Sequence, residues 1–153
     1  DPYLREDLLD FGVIIDTLEC AGTWSQLPTI YTSARAAARE RKVPLLMTHI
    51  SHVYPQGANL YFIFILPFTS IGDYLDVQYA LIEAIRTSGA AVSHHHGVGK
   101  QTAPWLMEQL DATTQGVLRA LKDYFDPHHI LNPGGTLGLD MTLEQAAKRW
   151  GKV

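Results

Sequence analysis

Asn59-Leu60-Tyr61-Phe62-Ile63-Phe64-Ile65-Leu66-Pro67-Phe68 is apolar on both alternating faces, with Leu60, Phe62, Phe64 and Leu66 on one and Tyr61, Ile63 and Ile65 on the other. Aromatic and β-branched residues in such a run predict a strand, and apolarity on both faces predicts a place in the middle of a sheet. Just before it, Pro55-Gln56-Gly57 reads as a turn. Upstream of that turn, Leu45 to Tyr54 reads as a second strand, so the two form a short hairpin.

Outward from this hairpin the chain is regular. Gly12 to Cys20 is β-branched and apolar and predicts a strand. Thr23-Trp24-Ser25-Gln26 offers a capping box, Pro28 suits a first helical turn, and Trp24, Leu27, Tyr31, Ala34 and Ala38 recur at helical spacing. Arg39, Arg41 and Lys42 close that helix, where cations suit its dipole. A second helix is expected from about Asp73 to Ser88, striped by Tyr74, Val77, Leu81 and Ile85 and stopped by Gly89. Ala90 to Ser93 reads as a short fourth strand. The order β-α-β-β-α-β is the α+β, ferredoxin-like arrangement, an antiparallel sheet with helices on one face. Helices follow it: one opening at Thr102-Ala103-Pro104, one striped by Val117, Leu118, Leu121, Tyr124 and Phe125, and a last one capped at Thr142-Leu143-Glu144-Gln145. One domain over residues 1–153 is expected, with no repeat or linker.

Composition bounds the function. Of 153 residues, 46% are apolar and 18% charged, the balance of a globular protein large enough for one core. A formal charge of -4 with scattered Lys and Arg argues against nucleic acid. The longest apolar run is far short of the roughly 20 residues that span a bilayer. Cys20 is the single cysteine, so no internal disulfide forms; a reducing, cytoplasmic setting is expected. The chain opens on Asp1-Pro2-Tyr3-Leu4-Arg5, a helix start without Met or signal segment, as expected of a piece of a longer protein.

The residues richest in chemistry are Ser93-His94-His95-His96-Gly97-Val98-Gly99-Lys100. Three adjacent imidazoles cannot all carry charge cheaply, so the group is expected to hold neutral imidazole near pH 7, ready to accept or donate a proton. Gly97 and Gly99 let a ligand or another backbone come close. Strand alternation, if it continued, would send His94 and His96 to one face and His95 to the other. A solvated loop is the plain alternative. A metal site is another, with His94 and His96 joined by His49, His52, Asp16 or Glu19, although no HExxH or Cys pair supports it and no metal is expected.

The run His94 to Lys100 resembles the triple-histidine motif of the alkyldihydroxyacetonephosphate synthase family, flavoenzymes within the FAD-linked oxidases of the vanillyl-alcohol-oxidase type. Other segments resemble that family in the same order: Tyr3-Leu4-Arg5-Glu6-Asp7, Glu19 with Trp24, Tyr54-Pro55-Gln56-Gly57-Ala58-Asn59-Leu60-Tyr61-Phe62, and Asp126-Pro127-His128-His129-Ile130-Leu131-Asn132-Pro133-Gly134. The chain departs at His49, where the synthases have arginine, and its tail is closer to the general oxidases. The resemblance implies a substrate-side cap domain, with the FAD-binding domain preceding it; Gly97-x-Gly99 is no phosphate loop of its own. It implies Arg5 for the anionic end of the substrate, Tyr61, His94, His95 and His96 as catalytic groups, and Lys100, Asn132 and Glu19 as cofactor or loop contacts. The residue-level alternatives are a surface arginine at Arg5, core packing at Tyr61, and a buried partner or mere strand-end carboxylate at Glu19.

The activity implied is exchange of the acyl chain of an acyl-dihydroxyacetone phosphate for a fatty alcohol through a covalent flavin–substrate adduct, the isolated chain being inactive. Oxidation of a 2-hydroxy acid such as lactate or glycolate is the second reading, and a non-enzymatic regulatory or metal-binding module the third. The partner implied is a small-molecule or lipid-like anionic substrate, with a homodimer left open. An ideal ferredoxin-like sheet would set the end of strand four beside the start of strand one. Arg5 would then lie near the histidines and Tyr61 at the opposite end.

Overall fold

The computed structural model describes residues 5–135, and the helix expected at Thr142 lies outside them. The chain divides into two compact units, 1–96 and 97–153.

The first unit is built on three strands, β1 (Val13–Thr23), β2 (Leu45–Ser51) and β3 (Gly57–Pro67), in the order β1-β3-β2 and antiparallel at both joints. The doubly apolar segment is therefore the central strand. The pairing aligns Cys20 with Leu60 and Leu18 with Phe62, and it aligns Glu19 with Tyr61 and Tyr61 with His49. Helices α1 (Leu27–Glu40) and α2 (Ile71–Thr87) pack on one another and cover one face of the sheet. That face carries the core: Leu18, Cys20, Leu60, Phe62, Phe64 and Leu66 meet Ile30, Ala34, Val77, Leu81, Ile82 and Ile85. Asp16 lies on the same face and accepts hydrogen bonds from Tyr74 Oη (2.5 Å) and Gln78 Nε2 (3.2 Å) of α2.

Alternation sends the other set of side chains, among them Thr17, Glu19, Asn59, Tyr61, Ile63, Met47 and His49, to the face without helices. Leu45 and Met47 stay exposed there at 44% and 41%.

Local chemistry sets the boundaries. Ser70 Oγ accepts the Asp73 N–H at 3.0 Å to start α2, and Gly89, at φ 80°, follows its end. Half of the expected capping box forms at α1: Gln26 Oε1 accepts the Thr23 N–H at 2.9 Å, but the threonine hydroxyl caps nothing and turns to the same Oε1. The buried stripe of α1 is Leu27, Ile30, Ala34 and Ala38, whereas Trp24 and Tyr31 are exposed. Trp24 precedes the helix and spends its Nε1–H on Pro55 O.

The fourth strand is a correction. Ala91 makes a single antiparallel bridge to Ala21, on the β1 side where the ferredoxin-like order requires it, and the chain then leaves the sheet. The β-α-β-β-α order and the α+β class hold with three full strands.

The second unit contains α3 (Gly99–Gln109) and α4 (Ala112–Phe125). Pro104 sits inside α3 rather than at its start. The apolar stripe expected on α4 is present but faces outward: Val117, Leu121, Tyr124 and Phe125 are all exposed. After α4, Asp126 accepts Lys122 Nζ at 2.5 Å and the N–H groups of Ile130 (3.0 Å) and Leu131 (2.9 Å).

Candidate functional site

Glu19 organises the site. Its place in β1 turns it to the open face, yet it is 4% exposed. The segment following the Ala91 bridge folds over it, and the N–H groups of His94, His95 and His96 converge on Oε1 at 2.6, 2.8 and 3.0 Å. Ser93 Oγ joins them at 3.2 Å, while Asn59 Nδ2 donates to Oε2 at 2.5 Å. Consecutive N–H groups aimed at one anion form a nest, which an extended strand cannot make. Burial alone would raise the Glu19 pKa; the donors from His96, His94 and His95 outweigh it and bring it down to about 2. The carboxylate is therefore ionised at neutral pH and anchors the histidine segment. It is the buried partner of the two alternatives, and with so little surface it is not exposed for cofactor contact.

The nest explains why alternation fails here. All three rings stay together, with His94–His95 centroids 5.4 Å apart and His95–His96 4.5 Å. His95 Nδ1 lies 3.1 Å from Glu19 Oε2 and 3.1 Å from His94 Nδ1; because a carboxylate can only accept, the contact with Glu19 favours a proton on this nitrogen, which leaves Nε2 with its lone pair when the ring is neutral. Tyr54 Oη and His94 Nε2 are 3.0 Å apart. His52 stands against His95 with centroids 4.3 Å apart. Tyr61 presents its ring edge-on to His96 at 5.1 Å and stacks on His49 at 4.9 Å.

The structure thus brings Tyr61, His94, His95, His96 and Glu19 together. Tyr61 is half-buried on the open face, not packed in the core. The conflict expected from an ideal sheet disappears because strand four ends at its first bridge. The histidines stop beside the middle of β1, at the level of Tyr61. Arg5 is placed elsewhere: it lines a depression of about 360 Å³ with Glu6, Leu9, Ile14, Ile15, Asp16, Thr17 and Tyr74, which holds none of the histidines. A second depression, about 370 Å³, abuts the cluster and is lined by Ala21, Gly22, Tyr54, Gly57, Ala58 and His94 among others.

Lys100 and Asn132 belong to the second unit. Lys100 lies in the first turn of α3, and Asn132 holds a left-handed turn (φ 47°) closed by the Gly135 N–H to Asn132 O at 2.9 Å. A Cβ on Gly135 would strike the Asn132 side chain, so the Asn-Pro-Gly-Gly run is shaped by the turn itself.

His52, His94 and His95 each offer one ring nitrogen within 4.8 Å of the others, the one group among the described residues able to chelate a metal. Zinc–nitrogen bonds of roughly 2.0–2.1 Å need a tighter set, so the rings would have to close in. Sequence reasoning missed Asn59, Ser51 and Tyr54 as members of the site. The available signal was a lone Asn in an otherwise apolar strand, two residues from Tyr61 and hence on its face.

The fold and the site define a class: an α+β domain that presents imidazole and phenol groups on the open face of its sheet. The chain belongs to the family described as FAD linked oxidases, C-terminal domain, whose model matches residues 2–136. It is similar to alkyldihydroxyacetonephosphate synthase of Dictyostelium discoideum, 32% identical over 140 residues that cover 86% of this chain and 23% of that protein. It is also similar to the glycolate oxidase subunit GlcD of Bacillus subtilis, 38% identical over 61 residues, 40% of this chain and 13% of that one. A solved structure of alkyldihydroxyacetonephosphate synthase superposes with a TM-score of 0.59 at 26% identity, covering 86% of this chain and 22% of that chain. The chain thus spans about a quarter of the length of the synthases it resembles. Among the described residues no helix is long and apolar enough to cross a membrane.

Proposed function

We propose that this chain is the substrate-side wall of an FAD-dependent, alkyldihydroxyacetonephosphate synthase-like enzyme. The observation that carries the reading is the Glu19-anchored nest, which displays His94, His95 and His96 against Tyr61 on an open sheet face. The reaction is the one that the resemblance to alkyldihydroxyacetonephosphate synthases implies. In that reaction an acyl-dihydroxyacetone phosphate and a fatty alcohol give the alkyl ether and the free fatty acid, with no net redox change.

The residues present fit a flavin. Met47 pairs with Ile63 and His49 with Tyr61, so Ile63 and Met47 continue the open face beside Tyr61, an apolar surface suited to one side of a planar ring system. Tyr61, His95 and His96 would line that ring, and its diphosphate end would be held by the preceding domain. The flavin, when bound, supplies the electron-accepting centre. His95, its proton on Nδ1 towards Glu19, offers Nε2 to accept the substrate proton. Tyr61 lies beside His96 to exchange a proton at its hydroxyl. Arg5 holds the phosphate away from the imidazoles, its guanidinium fork suited to that anion. Lys100 and Asn132 stand as candidate contacts of the second unit.

The match to a glycolate oxidase subunit favours a second reading, oxidation of a 2-hydroxy acid. The test is flavin absorbance of the full-length protein. Under the first reading acyl-dihydroxyacetone phosphate perturbs it and the fatty alcohol restores it. Bleaching by lactate or glycolate alone selects the second reading, and a silent flavin removes both. A cytoplasmic setting and a homodimer remain parts of the proposal, read out by fractionation and sedimentation of the same protein.

A further inference from the structure

The hydrogen bonds around Asn59 settle which nitrogen of His52 carries its proton. Asn59 is buried, and its Nδ2 faces two acceptors, Glu19 Oε2 at 2.5 Å and Cys20 O at 3.0 Å. Turning the amide over would aim its oxygen at both of them, so its orientation is fixed. Asn59 Oδ1 must then accept, and Ser51 Oγ donates to it at 2.9 Å. A serine has one hydroxyl proton, and this one is used. His52 Nδ1, 3.1 Å from the same Ser51 Oγ, can interact favourably only by donating its own N–H. Neutral His52 therefore holds its proton on Nδ1 and leaves the Nε2 lone pair free.

His95 has the same polarity for a related reason, since its Nδ1 faces Glu19. The two rings stand 4.3 Å apart, and one ring nitrogen of His52 lies within 4.8 Å of those offered by His94 and His95. His52 is held there in a left-handed backbone conformation, φ 49°, uncommon for a residue with a side chain. The run His52–Ser51–Asn59–Glu19–His95 thus joins two imidazoles through one buried amide.

We propose that Ser51 and Asn59 are positioning residues that fix the His52 tautomer, making His52 a further proton acceptor in the histidine wall. This deepens the function proposed above and rests on it for the role of that acceptor, but the tautomer itself does not depend on the substrate. Ser51 touches His52 directly and reaches Glu19 only through Asn59, whereas Asn59 holds Glu19 itself, so Ser51 is the position to vary. Ser51→Ala removes the acceptor that His52 Nδ1–H needs, and Ser51→Thr keeps it.

The experiment uses the full-length flavoprotein carrying this chain, labelled with ¹⁵N-histidine, with the His52 resonances assigned by their loss in His52→Gln. Nitrogen spectra at a pH where His52 is neutral should give a protonated Nδ1 and a bare Nε2. In Ser51→Ala the Nε2–H form should become detectable, and Ser51→Thr should restore the wild-type pattern. The flavin-monitored chemical step should fall about tenfold in Ser51→Ala and recover in Ser51→Thr, the lower end of the range for partners that orient a functional imidazole. A protonated Nε2 on His52 in the wild type overturns the assignment. An unchanged His52 spectrum in Ser51→Ala overturns the role of Ser51, and a changed spectrum with an unchanged chemical step overturns that of His52. Failure of the synthase reading would appear separately, as a flavin silent to acyl-dihydroxyacetone phosphate while the tautomer pattern stands.

Discussion

Glu19 combines burial with charge, and three backbone N–H groups make the combination stable. Its folded pKa is lowered to about 2 from an ordinary 4.5. A depressed carboxylate contributes stability that is complete above the unfolded value and lost as pH falls through the folded one. Urea midpoints of wild type and Glu19→Gln should therefore differ most above about pH 4.5 and converge towards about pH 2. At neutral pH the variant should lose on the order of 2–3 kcal/mol, because an amide cannot accept as a charged carboxylate does. His95→Gln in the full-length protein should slow the flavin-monitored chemical step by about 10²- to 10⁴-fold, the range for a general base. His129→Gln should leave it unchanged, since His129 is an exposed side chain beside Asp123. The histidines, Tyr61 and Glu19 were legible in the sequence as residues, but their grouping was not. Strand alternation would have separated His95 from its neighbours, and only the convergence of their N–H groups on one carboxylate keeps the three rings together.

At the scale of elements, β3 carries both the core and the site. Phe62 and Phe64 face the helices while Asn59 and Tyr61 face the open side, so one strand register aligns both. Phe62→Ala should cost about 3–5 kcal/mol in equilibrium unfolding, the usual cost of emptying an aromatic from a close-packed core. Gly57→Ala should be as damaging for a different reason: its Cβ would stand 2.0 Å from Gly22 O, where β1 and β3 meet. A lowered Tm measures both. The three long strands and the first two helices follow from periodicity because each has a face with a tertiary partner. The fourth strand does not, because Glu19 competes for the backbone donors that a ladder would have used. Trp24 and Tyr31 have the spacing of a buried stripe without its burial, and the α4 stripe stays exposed. Periodicity reports that a face is apolar and is silent on what covers it.

At the scale of the molecule, one family model covers residues 2–136, and the chain spans about a quarter of the synthases it matches. The ferredoxin-like order explains how sequence-distant groups reach one place: β1 supplies Glu19, β3 supplies Asn59 and Tyr61, and the segment after α2 supplies the imidazoles. Under the function proposed above, a cofactor held elsewhere in the protein would lie against the open face. The central claim is that this wall serves acyl-for-alkyl exchange on a flavin. The most direct test is the absorbance of full-length, FAD-loaded protein during addition of acyl-dihydroxyacetone phosphate and then of a long-chain alcohol. The account predicts a spectral change with the first that the second reverses, yielding the ether product, and loss of both in Tyr61→Phe and His95→Gln. A spectrum unmoved by the acyl substrate would contradict it.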